Sequence, residues 1–479
     1  MKMARGTLYL MIAEVMFVLS GWAIHIVAGR ILGKNFYGVF VLLLTLLTQY
    51  RIFLASGVHR AVAKYISEDP RFAPAVRRQA LRLQFIAGWA LCGLVWVIAP
   101  SLARLWQNAE LVGYIRLTGF FFPIFGLYSV YRGVLNGMKL FGREALVSIV
   151  YSLLKVLFLF VLIHYYGIAG AVTGYLVAIV GGMFLARFLA PSGSGETGAP
   201  FPIMRIVRFA VPVMLFSFII SLIQNIDLYF IRALIPPPGT DSANSYYGCA
   251  QQFSKIPYMI LFALSMTLFP NISSLTARPG GKQKAAQTIR KSLRAGLLLV
   301  LPVSCLIGGA SSNLIEWVFP TINGGGDALR VLIFGQTLLS FLFILTTILT
   351  AAGRPWLSFS LVGVTLGIDV ILNYLLIPAY GITGAAAATT ISSAVGAIAA
   401  AGAVRRNFRA LVVPSSAVKI TIASAIVFWL TLLINPARWM IPPVFLLLWA
   451  IYILLLLVFR EIDKNDWQML KSLIIKKAS

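Results

Sequence analysis

Negative charge is what this sequence has least of. Of its 479 residues only 14 are Asp or Glu, against 40 Lys and Arg, and charged residues of both signs make up 11%. Soluble domains carry roughly a quarter charged residues. With 59% hydrophobic residues and a mean hydropathy of +0.89, the shortage excludes a water-soluble globular domain and leaves a bilayer as the solvent. Cysteine is equally scarce. Cys92, Cys249 and Cys305 each sit alone in an apolar stretch, which excludes a disulfide framework and Cys-based metal or redox spacing. Long polar loops and an Asp-x-Asp pattern are missing too, which argues against a membrane glycan polymerase or ligase with an outer catalytic loop. A net charge of +26 raises nucleic acid as a partner, but no basic-aromatic recognition module is present. Membrane proteins keep Lys and Arg on the cytoplasmic side, and that explains the excess.

What is present is a series of apolar runs, each long enough to cross the hydrocarbon as a helix of about 20 residues. They predict an all-α membrane protein with 14 spans, at about 7–29, 36–58, 80–101, 112–134, 143–166, 168–189, 205–231, 245–271, 286–310, 326–352, 356–378, 380–404, 416–434 and 439–459. The first run is too long for a signal-peptide core and reads as the first span. With the N-terminus inside, thirty of the Lys and Arg residues fall in cytoplasmic segments and seven outside, while Arg51, Lys155 and Lys255 lie within spans. That asymmetry places both termini in the cytoplasm.

The segment 191–204, which contains Pro191-Ser-Gly-Ser-Gly-Glu-Thr-Gly-Ala-Pro200, has linker composition. It separates a six-helix lobe over 1–190 from a second over 205–405; residues 406–479 supply two further helices and a basic cytoplasmic tail. The lobes echo each other. Tyr166-Gly167-Ile168-Ala169-Gly170-Ala171 returns as Tyr380-Gly381-Ile382-Thr383-Gly384-Ala385, and Tyr37-Gly38 as Tyr247-Gly248. Six spans per lobe is an even number, so this is a parallel repeat about an axis along the membrane normal.

An intramembrane charge costs at least about 2.5–3.5 kcal/mol, so it marks protein-facing or water-facing positions. Two groups stand out. Arg51, Lys155 and Lys255, with His25 and the rim residues Arg30, Arg60 and Arg132, are cationic and suit a phosphate or pyrophosphate, and Gln251 lies one turn from Lys255. The alternative is pairing with Glu14, Asp227 or Asp369, or snorkelling to an interface. Asp227, Asp369, Asn373 and Thr389 are hard oxygen donors and suit an alkali cation or a proton relay; the alternative is a hydrogen-bonded plug within the lobe.

The order Gly29-Arg30-Ile31-Leu32-Gly33, Phe36-Tyr37-Gly38-Val39-Phe40, Arg51-Ile52-Phe53 with Gly57, then Ala63-Lys64-Tyr65-Ile66-Ser67-Glu68 resembles the polysaccharide-transporter branch of the multidrug/oligosaccharidyl-lipid/polysaccharide exporter superfamily, the lipid-linked oligosaccharide flippases. The two Tyr-Gly-Ile-x-Gly-Ala turns fit the same branch. The resemblance implies no enzyme but a flippase in the bacterial inner membrane, carrying an undecaprenyl-pyrophosphate-linked repeat unit of O-antigen, capsule or exopolysaccharide to the outer leaflet by alternating access. It implies glycosyltransferases and a glycan polymerase as partners, no organic cofactor, and a sodium ion or proton as coupling ion. The lipid II flippase branch looks similar in its span-2 arginine, matched by Arg51. It is also similar in a sodium site matched by type and span by Asp227, Asp369, Asn373 and Thr389, with the Asp and Asn of span 11 in reversed order. A drug/cation antiporter of the same superfamily would instead show an acidic, aromatic cavity; Glu14 and Asp369 keep that reading open.

Overall fold

The structure is a computed structural model that describes residues 2–191, 201–276 and 280–461. The greater part of the expected 191–204 linker and the basic tail beyond 461 lie outside the described residues. Among the described residues every regular element is helical. The chain runs through α1 (Lys2–Leu54), a π-helical turn (Ala55–His59), α2 (Arg60–Glu68), α3 (Ala73–Leu105), α4 (Leu111–Gly119), α5 (Phe121–Gly137), α6 (Phe141–Leu189), α7 (Ile203–Ile223) and α8 (Ile226–Leu234). It continues through α9 (Gly239–Ser254), α10 (Ile256–Thr276), α11 (Gly281–Gly309), α12 (Ser311–Val318), α13 (Gly326–Ala351), α14 (Pro355–Phe408), α15 (Pro414–Ile434) and α16 (Ile441–Val458). Among the described residues eleven helical stretches are long and apolar enough to cross a membrane. Their outward faces carry large apolar side chains such as Phe188, Trp429 and Leu446, as lipid-facing helices do.

Three of the long helices are broken once, by Gly33 in α1, Gly167 in α6 and Gly381 in α14. Gly167 and Gly381 have nearly the same backbone, φ 55° and ψ −130° against φ 57° and ψ −135°. This left-handed region is open to glycine and strained for a residue with a Cβ. Three residues on, the pair recurs in another form. A Cβ on Gly170 would meet the Leu162 carbonyl, and one on Gly384 the Leu376 carbonyl. The second arm of each turn therefore packs directly on the backbone of the first.

The chain forms two compact units, Met1–Gly248 and Cys249–Ser479. The first reaches past the linker because α7 packs on the π-helical turn and on α1. The Gln49 amide donates to the Ser221 carbonyl at 3.0 Å, Phe53 meets Phe218 edge-on, and Gly57 leaves room for the side chain of Met214. Near Gly33 the same unit is fastened by polar contacts. Arg232 pairs with Asp241, the Ser245 hydroxyl donates to the Lys34 carbonyl, and Gly38 faces the Asp241 carbonyl. Between α2 and α3, Asp69 closes a turn by accepting from the backbone and guanidinium of Arg71, and those hydrogen bonds hold its carboxyl below the usual range. In the second unit Leu306, Ile420, Val427, Leu448 and Tyr452 form a core joining α11, α15 and α16.

Candidate functional site

Two of the three expected intramembrane cations come together. Lys155 is on α6 and 1% exposed. Its Nζ lies 4.3 Å from the centre of the Phe17 ring of α1, 5.6 Å from that of Tyr175 and 5.7 Å from that of Tyr151. The Arg51 guanidinium, also on α1, lies 4.7 Å from the same Phe17 ring. Among the described residues no carboxylate lies within 4.0 Å of either cation. Ring faces attract cations, but each contact is worth only about 0.5–2 kcal/mol. That is less than the cost of placing a charge in hydrocarbon. The Tyr151 hydroxyl, buried one turn before Lys155, has no hydrogen-bond partner among the described residues. Two cations and one hydroxyl donor thus share one aromatic-walled place with no protein anion in it.

The remaining cations are arranged differently. Arg132 donates to Glu144 at 3.3 Å, and Asn136 donates to the other oxygen of that carboxylate at 2.8 Å. His25 shares a 2.9 Å hydrogen bond with the Tyr37 hydroxyl. Arg30 and Arg60 are exposed. In the second unit Lys255 donates to the Gln251 side-chain oxygen at 3.1 Å, one turn back.

Three of the four expected oxygen donors lie in α14, two of them linked through Ser392. Asp369, Asn373 and Thr389 are all 0% exposed in α14. The Asn373 amide donates to the Asp369 carbonyl at 3.0 Å and the Thr389 hydroxyl to the Ala385 carbonyl at 3.3 Å. Ser392 completes the group, donating to the Asp369 carboxylate at 2.9 Å and to the Thr389 carbonyl at 3.1 Å. Asp227 lies in the first unit, where it accepts from the Tyr247 hydroxyl.

Sequence reasoning missed Phe17, Tyr151, Tyr175 and Ser392. Tyr151 sits one turn before Lys155 and Ser392 three residues after Thr389, spacings that could have flagged them. Phe17 and Tyr175 carry no such signal, because a ring in an apolar span reads as lipid-facing.

Among the described residues, eleven apolar spans, an interior cation pair and buried oxygen donors define a multi-span helical membrane protein. The solved lipid II flippase in an inward closed conformation superposes with a TM-score of 0.77, at 15% identity over 96% of this chain and 99% of that one. An uncharacterised membrane protein of Methanocaldococcus jannaschii is 24% identical over 418 residues, 82% of this chain and 95% of that protein. The probable flippase AglR of Haloferax volcanii is 25% identical over 429 residues, 86% of this chain and 85% of that protein. The chain belongs to the family described as polysaccharide biosynthesis protein, whose model matches residues 26–321. The polysaccharide-transporter resemblance read from the four motifs and the two turns stands.

Proposed function

We propose that the protein flips a polyprenyl-pyrophosphate-linked oligosaccharide from the cytoplasmic to the outer leaflet, with the undecaprenyl-linked unit of an O-antigen, capsule or exopolysaccharide as cargo. The observation that carries this reading is the Arg51–Phe17–Lys155 arrangement, two cations on one ring with no acid beside them, in a chain of this family. A pyrophosphate supplies the missing counter-charge, and the cations offset the loss of its hydration. The prenyl chain stays in lipid, so the site handles only the head group. The rival drug/cation antiporter calls for acids where these cations stand.

Eleven spans, three of them divided once by a glycine, support fourteen crossings in two six-helix lobes, 1–190 and 205–405, that alternate access. The Lys and Arg asymmetry supports a plasma-membrane protein with both termini in the cytoplasm. In the first unit His25 and Arg30 are further head-group candidates in this reading; in the second, Lys255, held by Gln251, is another. The Asp369, Asn373, Thr389 and Ser392 group takes a sodium ion or a proton. One cation moving down an inside-negative potential supplies about 2.3 kcal/mol per 100 mV to bias the cycle. Glycosyltransferases supply the substrate and a glycan polymerase consumes it.

The test is surface glycan in cells whose only copy carries Arg51→Ala or Lys255→Ala. Loss of glycan at normal protein level is expected, more complete for Arg51→Ala; wild-type glycan in both would refute the head-group assignment.

A further inference from the structure

The first turns of α11, before its apolar run, are two-sided. Gly281, Ala285, Ile289 and Leu293 recur every four residues and are buried, while Lys282, Lys284, Arg290 and Lys291 are exposed. This helix gathers the ends of three others within the second unit. The Arg290 guanidinium donates to the Arg409 carbonyl at 2.9 Å, and Arg409 is the left-handed residue that closes α14. One turn further on, Arg294 donates at 2.9 Å to the carboxylate of Glu461, just beyond α16, and the Ser416 hydroxyl of α15 donates to the same oxygen.

The helix ends pinned in this way are themselves basic. Arg405, Arg406 and Arg409 are exposed at the end of α14, and Lys419 of α15 is half-buried. The sequence has no acid between Cys249 and Glu316 and none between Asp369 and Glu461. Glu316 and Asp327 follow the far end of α11. Among the described residues Glu461 is therefore the one acid at this end, and it is buried against Arg294 and Ser416. The chain beyond 461 adds four lysines to two aspartates, so it brings no net anion. In the first unit the turn before α3 carries its own acids, with Glu68 beside Lys64 and Asp69 on Arg71.

We propose that the basic ends of α11 and α14 form a docking site for the head groups of anionic phospholipids. The site is distinct from the Arg51–Lys155 pair, which lies in the first unit. The cations call for phosphate, and their setting points to lipid as its source. Arg405 shares a helix face with Ile398, seven residues back and 72% exposed, and Ile422, 47% exposed, lies one turn from Lys419. A change from cation to exposed apolar side chain within two turns matches the step from head group to acyl chain at a bilayer surface. A soluble anion would have no use for that apolar flank. Lipid phosphates seated there supply the counter-charge for the seam that joins α11, α14, α15 and α16.

The experiment titrates the detergent-solubilised full chain with phosphatidylglycerol, with phosphatidylcholine and with glycerol phosphate, the free head group. Native mass spectrometry counts bound lipid, and a thermal melt reads its effect on the fold. The wild type should hold phosphatidylglycerol in preference to phosphatidylcholine and melt higher with it. Each exposed cation near an anionic lipid is worth about fivefold in affinity. A Lys291→Gln, Arg405→Gln, Arg406→Gln triple variant should therefore bind phosphatidylglycerol about a hundredfold more weakly and lose the melting shift. Arg406→Gln alone, with about a fivefold loss, keeps the proposal testable if the triple variant does not fold. A matched triple in the first unit, Arg78→Gln, Arg82→Gln and Arg208→Gln, removes as many exposed charges and should retain wild-type binding. Equal losses in the two triples would mean generic surface charge and overturn the site. Equal binding of the two lipids overturns it as well, and a melting shift from glycerol phosphate as large as that from phosphatidylglycerol overturns lipid as the ligand.

Discussion

Counted from the matching glycine turns at Gly167 and Gly381, Lys155 in the first half corresponds to Asp369 in the second, so the two halves put side chains of opposite sign on one backbone frame. In the second half one carboxylate oxygen of Asp369 accepts from the Ser392 hydroxyl, and the Asn373 amide one turn away donates to the Asp369 backbone carbonyl. In the first half Lys155 meets only rings and another cation. A buried polar group with partners is part of the structure, whereas one without them is costly unless something else arrives. The halves therefore differ in how far the protein itself meets the charged side chain it buries.

The sharpest way to break the comparison is at its frame. Gly170→Ala and Gly384→Ala each drive a methyl into a helix carbonyl. Both should lose most of the folded protein, more than the about 1–3 kcal/mol typical of overpacking, because backbone rather than side chain must move. Detergent-solubilised yield and size-exclusion profiles check this; a normal yield for one variant alone would mean that the two turns are not equivalent. Next come the charges. Asp369→Ala removes one of the two acceptors of Ser392 and should cost about 0.5–1.5 kcal/mol, seen as a lowered melting temperature. Lys155→Met should move the other way, between no change and a gain of about 1–4 kcal/mol, as when a buried charge gives way to an apolar side chain, while surface glycan is lost. A Lys155→Met protein that melts lower and still exports glycan would erase the contrast. The smallest effect is expected for Ser392→Ala, about 0.5–1.5 kcal/mol, with no counterpart on mutating Ala178, its equivalent in the first half.

Much of the architecture was legible in the sequence. Apolar runs of span length announce themselves, and a Tyr-Gly-Ile-x-Gly-Ala motif appearing twice gave the repeat, since a left-handed backbone selects glycine whatever surrounds it. The three interior cations were legible for the same reason: charge in an apolar run is conspicuous. The correspondence of Lys155 with Asp369 was not, because a repeat sought by similarity passes over positions where the halves differ in sign. The aromatic shell stayed hidden because Phe17 and Tyr175 look like lipid-facing residues. The seam at 248/249 between compact units was invisible as well. It depends on α7 lying against Gln49, Phe53 and Gly57, and tertiary packing of that kind leaves no mark on composition.

The backbone-on-backbone contact at Gly170 and Gly384 has a consequence for the surrounding oil. Two helix arms that touch through a carbonyl leave no crevice at that end wide enough for an acyl chain. Fatty tails can lap against the outer flank of each hairpin, but they cannot wedge it apart from the turn, so each hairpin stays a single strut however the bilayer thins or thickens around it.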